Sequence, residues 1–373
     1  MLFFFLPQLL IFAEKSSMKN SHNPNWQEEI TQAEDNHSSH ASGLVPSHKR
    51  RATMHNYQSK GFYHITLVVE GRRPFFGHLV GKADAPPGSP LTPHIELSPL
   101  GERIRDCWYA IPHYHPEVKL STFQVMPDHF HGLLYVEKDM QVHLSEVIKG
   151  LKVGCRHAFC ELMPEEAEKA RQAQALDKKR GFLFEKNYND TILLHEGQLK
   201  TMKDYIRDNP RRLALRKENI LFFHVYPSLT VAGVDCSAIG NTSLLLKSIR
   251  QVQVSRRIEE DILEQKKEAM LEEAREGAVL ASPAISQGEK AIMRAAFDQG
   301  MPVIHIMSNG LGSMYKPPKA YLEAFAAGRM LFISPFSHGY GKQMLYHDKC
   351  KLMNALAYCL EHGCEFERKE LLE

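Results

Sequence analysis

Apolar and polar positions follow two different rhythms along the chain. Residues 62–69 read Phe-Tyr-His-Ile-Thr-Leu-Val-Val, an aromatic and β-branched run that predicts a strand. A Glu70-Gly71 turn leads toward residues 75–80, the expected partner strand. Residues 86–93 are proline-rich and read as a loop. Ser98 as N-cap and Pro99 at the first helical position predict a helix through about Ala110. Residues 118–126 form the next predicted strand, and after a tight turn at Pro127-Asp128 the run from His129 to Val136 forms another. Helical spacing then takes over. Val147, Ile148, Leu151, Ala158, Phe159 and Leu162 share one face of a helix that opens at residues 143–145. Residues 165–180 read as a charged, helix-prone surface insertion, and 182–184 and 191–194 as short extended pieces. Residues 198–208 read as a helix that stops before Pro210. This order suggests an α+β layer, an antiparallel sheet with helices on one side.

The rhythm changes near Tyr226. A strand-like stretch, 221–225, precedes a connector over 227–243 and a strongly charged helix over 255–275. Short apolar runs at 278–281 and 302–307 are separated by an Ala-rich helix at 290–299. Another run, 329–333, precedes a last helix at 342–361. Strands alternating with helices imply βαβ units and a parallel sheet. The chain therefore divides into a disordered tail (1–57), an α+β domain (58–226) and a smaller α/β domain (227–373), with no internal repeat.

A length of 373 residues suits two domains. Hydrophobic content of 43% and charged content of 24% are ordinary for a soluble globular protein. A net charge of +2 requires any nucleic-acid footprint to be local. Seven cysteines, odd in number and without C-x-x-C, favour reduced thiols and a cytoplasmic setting. Cys350, Cys359, His362 and Cys364 match no standard zinc spacing. Residues 1–13 are apolar but too short to span a bilayer, and they lack the basic start of a signal peptide. Met18 opens a polar stretch that looks more like a true beginning, so residues 1–17 read as an upstream start-site artefact. No stable membrane association is expected.

Candidate chemistry gathers at three places. Alternate strand residues share a face, so His129 and His131 point the same way and Phe130 the other. Two imidazoles on a rigid strand are ready metal ligands, although a bare His-x-His is more often polar decoration. Tyr205 and Asn209 lie four apart on one helix face. A phenol can act as a nucleophile and an amide oxygen can complete a metal site, while the plainer reading is an ordinary amphipathic-helix tyrosine. Around them Lys200, Lys203, Arg207, Arg211, Arg212, Arg216 and Lys217 face only Asp204 and Asp208, a local excess of five positive charges. Lys149, Lys152 and Arg156 form a further basic stripe, and Arg211 and Arg212 extend the charge beyond Tyr205. Both stretches are candidate DNA-backbone contacts, or else solvated helix faces.

Val125-Met126-Pro127-Asp128-His129-Phe130-His131 followed by Tyr205-Ile206-Arg207-Asp208-Asn209-Pro210 resembles the single-tyrosine HUH transposases, in the branch of REP-associated tyrosine transposases. The strand at Phe62, the segment Lys149-Gly150-Leu151-Lys152 and the segment Phe184-Glu185-Lys186-Asn187-Tyr188-Asn189-Asp190 resemble the family too, over roughly residues 58–220. The resemblance implies a ferredoxin-like HUH fold that cleaves and rejoins single-stranded DNA at structured hairpin ends. It implies that His129 and His131 bind a divalent metal, Mg²⁺ or Mn²⁺, with Asn209 at the place of a polar third ligand. Tyr205 would then form a 5′-phosphotyrosine, within one chain or across a homodimer. Asp128 stands where the relatives commonly have Asn, and the 165–180 insertion is longer than expected.

In the second domain, residues 280–290 (Leu-Ala-Ser-Pro-Ala-Ile-Ser-Gln-Gly-Glu-Lys), Asn309-Gly310 and Lys316-Pro317 resemble part of the Rossmann-like fold of DNA-processing protein A. Ser286, Gln287 and Gly288 sit between a strand and a helix N-terminus, where backbone N–H groups can hold an anion, or where the turn is purely structural. Two other functions compete with the transposase reading. One is a domesticated protein that binds hairpin DNA without cutting it. The other is an amidohydrolase, which also uses His-x-His but needs eight βα units that this pattern lacks.

Overall fold

The computed structural model describes residues 55–365, apart from 196, 314 and 339–345. The readings of residues 1–54 as a tail and of 1–17 as an artefact lie outside the described residues. Tyr57, assigned to the tail, is buried in the first core, and its hydroxyl donates to Asp190 at 2.7 Å.

In the first half of the chain the elements are β1 (Gly61–Val68), β2 (Gly77–Val80), β3 (His94–Leu97), α1 (Pro99–Tyr109), α2 (Ile111–Tyr114), β4 (Val118–Met126) and β5 (His129–Val136). They are followed by α3 (Leu144–Leu162), α4 (Pro164–Leu176), β6 (Asn189–Leu193) and α5 (Gln198–Glu218). Four strands make an antiparallel sheet in the order β4-β5-β1-β6. The 75–80 segment does not pair with β1, as the turn had suggested. Both edges of β1 are taken by β5 and β6, and β2 pairs with β3 instead.

Alternation sorts the side chains of this sheet. Tyr63, Ile65 and Leu67 of β1 and Phe130, Leu134 and Val136 of β5 face the core, against Ile104 and Trp108 of α1 and Val147, Ile148 and Phe159 of α3. Ser98 starts α1 as expected, its hydroxyl accepting from the Gly101 N–H at 3.0 Å. The charged insertion is the helix α4, and Ala167 and Ala170 bury it against the same core. His64, Thr66, His129 and His131 lie on the other face, which α5 covers. The sheet thus carries helices on both faces rather than on one.

Helix α5 also runs past Pro210 to Glu218, where the sequence suggested a stop. The proline forfeits one backbone donor, but the segment after it (Arg-Arg-Leu-Ala-Leu-Arg-Lys-Glu) consists of good helix formers. Burial of Pro210, Ala214 and Leu215 favours continuation.

The second half contains β7 (Val225–Val231), β8 (Val234–Gly240), β9 (Ile249–Gln251), α6 (Glu260–Arg275), β10 (Val279–Ser282), α7 (Gln287–Asp298), β11 (Val303–Ile306), α8 (Leu322–Ala326), β12 (Met330–Ser334) and α9 (Tyr346–His362). Its six strands run in the order β7-β8-β12-β11-β10-β9, parallel from β12 to β9 and antiparallel at the β7-β8 edge. The expected connector is therefore a hairpin, residue 226 falls inside β7, and the supposed strand at 221–225 is a 3₁₀ turn, Ile220–Phe223. The hairpin turns at Ala232 and Gly233, both at positive φ (49° and 77°), the pairing that a two-residue type I′ turn needs. β10, β11 and β12 are buried at every position, with α6 and α7 on one side and α9 on the other, so they read as unbroken apolar runs.

The two sheets meet through α5 and α8. Ala214 and Leu215 pack with Leu322, Leu79, Ala83 and Phe223, and Arg211 pairs with Glu323 at 2.7 Å. Among the described residues no helix is long and apolar enough to cross a membrane.

Candidate functional site

The register of β1 against β5 sets Thr66 opposite His131 and Val68 opposite His129. Directly opposed residues share a face, so His64 and Thr66 join the two histidines of β5. His131 Nδ1 lies 3.1 Å from His64 Nε2 and 3.0 Å from Thr66 Oγ1. Burial pushes the His64 imidazolium down to about 4. The pKa of His131 falls well below its ordinary value through burial first, and then through the neighbouring His129, His64, Arg212 and Arg72. Both rings are thus neutral near pH 7, the state in which an imidazole can ligate.

His129 stands perpendicular to His131, ring centroids 4.8 Å apart. Its Nδ1 meets Asp128 Oδ1 at 2.5 Å, and Asp128 also accepts from Arg72 Nη1 at 3.2 Å. Burial would raise the Asp128 carboxyl, but the hydrogen bonds and charges of His129 and Arg72 outweigh it and bring the pKa to about 2. A carboxylate behind a histidine fixes the tautomer, with Nδ1–H donated to it and Nε2 left to ligate. Asp128 thus holds the His129 ring from behind.

Tyr205 comes from α5, on the same side of the sheet. Its ring meets His131 edge-on with centroids 5.5 Å apart, and His64 at 6.3 Å. The Arg212 guanidinium lies 4.8 Å from the Tyr205 ring centroid. Arg212 is only 7% exposed, and among the described residues its Nε and Nη1 have no hydrogen-bond partner. Asn209 is buried one turn beyond Tyr205 and turns back on its own helix, its Nδ2 donating to the Tyr205 carbonyl at 2.9 Å.

The other predicted DNA contacts lie elsewhere. Lys149, Lys152 and Arg156 belong to α3, across the sheet from α5, so the two basic stretches do not flank the histidines. Lys152 Nζ donates to the carbonyls of Glu185, Lys186 and Asn187 at 2.8, 3.3 and 3.1 Å, which ties down the loop ahead of β6. Arg156 stacks on Phe182 at 4.3 Å, and Lys149 pairs with Glu146 at 3.2 Å. Arg211 is held by Glu323 and, at 3.6 Å, by Asp208. Of the five basic residues only Arg212 touches the tyrosine.

Four residues of the site were not singled out from the sequence: His64, Thr66, Arg72 and Lys316. Lys316 lies between β11 and α8, on the six-stranded unit. Its side chain is exposed to solvent. Desolvation by neighbouring protein first, and then Arg72, Arg216 and Arg212, push its amine down to about 8 against the opposite pull of Asp128. Arg216 is likewise depressed, by burial and then by Arg212.

The strand-to-helix turn at Ser286–Gly288 is capped from within. Ser286 and Glu289 form a capping box, and the buried Glu289 carboxylate accepts from the N–H groups of Ile285 (2.6 Å), Ser286 (3.1 Å) and Val254 (3.2 Å). Of the three residues where the sequence suggested an external anion, Ser286 already gives its N–H to the protein's own carboxylate. Among the described residues no group of three His, Cys, Asp or Glu side chains is arranged to hold a metal.

No family model matches the chain. An uncharacterised protein of Haemophilus influenzae (strain Rd) is 25% identical over 182 residues, covering 44% of this chain and 88% of that protein. Among solved structures, a REP-associated tyrosine transposase bound to a REP hairpin is similar at 14% identity and a TM-score of 0.28, over 43% of this chain and 72% of that one. A candidate transposase from Deinococcus radiodurans R1 is similar at 18% identity and a TM-score of 0.25, over 42% and 97%. DNA-processing protein A from Helicobacter pylori, described with a single-stranded DNA binding mode, is similar at 18% identity and a TM-score of 0.27, over 34% and 56%. All three of these likenesses are distant.

Proposed function

We propose that the chain is a metal-dependent transesterase that cleaves and rejoins single-stranded DNA through Tyr205. The observation that carries this reading is the meeting of Tyr205 with two neutral histidines on one face of the sheet. An amphipathic-helix tyrosine without a chemical role has no need of buried imidazoles and an arginine around its ring.

In the reaction the Tyr205 oxygen bonds to phosphorus as the bond from phosphorus to the 3′-oxygen breaks. The phenolic proton ends on the leaving 3′-hydroxyl, and the 5′ end stays on the tyrosine. The energy of the phosphodiester is conserved, so rejoining needs no nucleotide cofactor. The donor set fits a divalent cation that draws its remaining ligands from water and phosphate oxygens: the imidazoles of His129 and His131, each bonded through Nδ1, and the Asn209 amide oxygen. Such a cation, Mg²⁺ or Mn²⁺, would neutralise charge on the scissile phosphate. Thr66 and His64 orient His131, Asp128 orients His129, and Arg212 holds the phenol ring in place.

The test is incubation of the full chain with a labelled, hairpin-flanked single strand and Mn²⁺, followed by denaturing electrophoresis. Wild type should give a covalent protein–DNA adduct, and Tyr205→Phe should lose it while keeping DNA binding. An adduct that survives in Tyr205→Phe refutes the nucleophile. Binding without an adduct in wild type leaves a hairpin-DNA-binding protein that does not cut.

A further inference from the structure

Arg212 is buried beside the nucleophile with two N–H groups unmatched, and Arg72, Arg216 and Lys316 gather around it. Asp128 is the acid that faces this group, and Arg72 is already bonded to it. Four cations against one carboxylate at close quarters are mutually repulsive. An anion with several acceptor oxygens would relieve the repulsion.

The arrangement is held by contacts outside the cluster. The Arg211–Glu323 pair and the packing of Leu322 on Ala214 and Leu215 seat α8 against α5, and Lys316 lies six residues before Leu322. The six-stranded unit therefore delivers a lysine to a site otherwise built on the four-stranded one. Lys319, three residues further along the same segment and exposed like Lys316, is the neighbouring lysine for comparison.

We propose that Arg212, Arg216 and Lys316 form a phosphate subsite spanning the two units, and that its ligand is a backbone phosphodiester of the strand that Tyr205 attacks. This deepens the proposed function and rests on it for the identity of the strand. In this role the second unit is part of the DNA-binding surface.

The test uses the full chain in EDTA, so that binding is read without cleavage. Fluorescence anisotropy of a labelled single-stranded oligothymidine is followed against salt for wild type, Lys316→Ala, Lys316→Arg and Lys319→Ala. Loss of one phosphate contact should flatten the log–log salt slope by about 0.7 in Lys316→Ala. Lys316→Arg should keep the wild-type slope, and so should Lys319→Ala. An unchanged slope in Lys316→Ala overturns the subsite, as does equal flattening in Lys319→Ala. In a parallel arm, inorganic phosphate is titrated while thermal unfolding is followed. A phosphate-induced rise in Tm that Lys316→Ala abolishes, with the DNA slope unmoved, assigns the pocket to a free anion and overturns the strand. Flattening in Lys316→Ala in a protein that forms no adduct upholds the subsite and removes the nuclease reading alone.

Discussion

Replacing Arg212 with methionine should stabilise the fold while harming its interaction with DNA. The two unmatched donors, Nε and Nη1, are sealed from water in a side chain that is only 7% exposed. An unmade hydrogen bond of this kind costs about 1–3 kcal/mol, so the pair costs about 2–6 kcal/mol. Against this stands the stacking of the guanidinium on Tyr205, worth about 0.5–2 kcal/mol. The penalty is the larger of the two. A flexible apolar chain of similar length fills most of the same space, and exchanging buried charge for apolar atoms commonly gains about 1–4 kcal/mol. Arg212→Met should therefore unfold later in urea by a gain in that range. The fluorescence of Trp108, fully buried in the first core, is a direct reporter. With an m-value of about 2 kcal/mol/M, a gain of ~2 kcal/mol moves the midpoint by ~1 M. The same variant should bind single-stranded DNA more weakly. A midpoint at or below wild type with an unchanged m-value would mean that the two N–H groups are satisfied in solution. Undiminished binding would take Arg212 out of contact with the strand.

Two further outcomes follow from the neighbourhood of the histidines. Asp128→Asn should lower Mn²⁺ affinity by about 10–100-fold, because an amide no longer fixes the Nδ1–H tautomer of His129; titration calorimetry that finds equal affinity would count against Asp128 as a support. Gly132→Ala places a Cβ 2.4 Å from Trp108 Cη2 and 2.6 Å from Phe130 Cε1 in a closed core, and should cost about 1–3 kcal/mol in urea unfolding. A neutral effect would show that Trp108 has room to move.

Much of this was legible because it is local. The i, i+2 spacing put His129 and His131 on one face, Ser98-Pro99 marked the start of α1, and unbroken apolar runs marked β10, β11 and β12. Pairing partners are not local, and the losses fall there. Residues 62–69 read correctly as a strand, yet His64 and Thr66 become site residues only through the register with β5, which nothing in their own segment encodes. The hairpin of β7 and β8 was hidden because its turn uses Ala232 in a left-handed conformation, where Asn, Asp or Gly is the usual sign. Lys149, Lys152 and Arg156 do line one groove, as their spacing suggested, but on the far side of the sheet from Tyr205. Lys152 is in fact a clamp on three carbonyls, and Lys316, quoted only as part of a distant resemblance, joins the site through the seating of one unit on the other.

Helix α5 has a mechanical consequence. Tyr205 and Leu215 are ten residues apart on one rod, about 15 Å along its axis. One end carries the phenol to the histidines, the other is gripped by α8, and Pro210 stands between them as the single break in the hydrogen-bond ladder. The grip on Leu215 works as the handle of a lever whose tip is the tyrosine. A shift of the six-stranded unit by a fraction of an ångström reaches the phenol less whatever the bend at Pro210 absorbs, so the two sheets have to be aligned by one and the same helix.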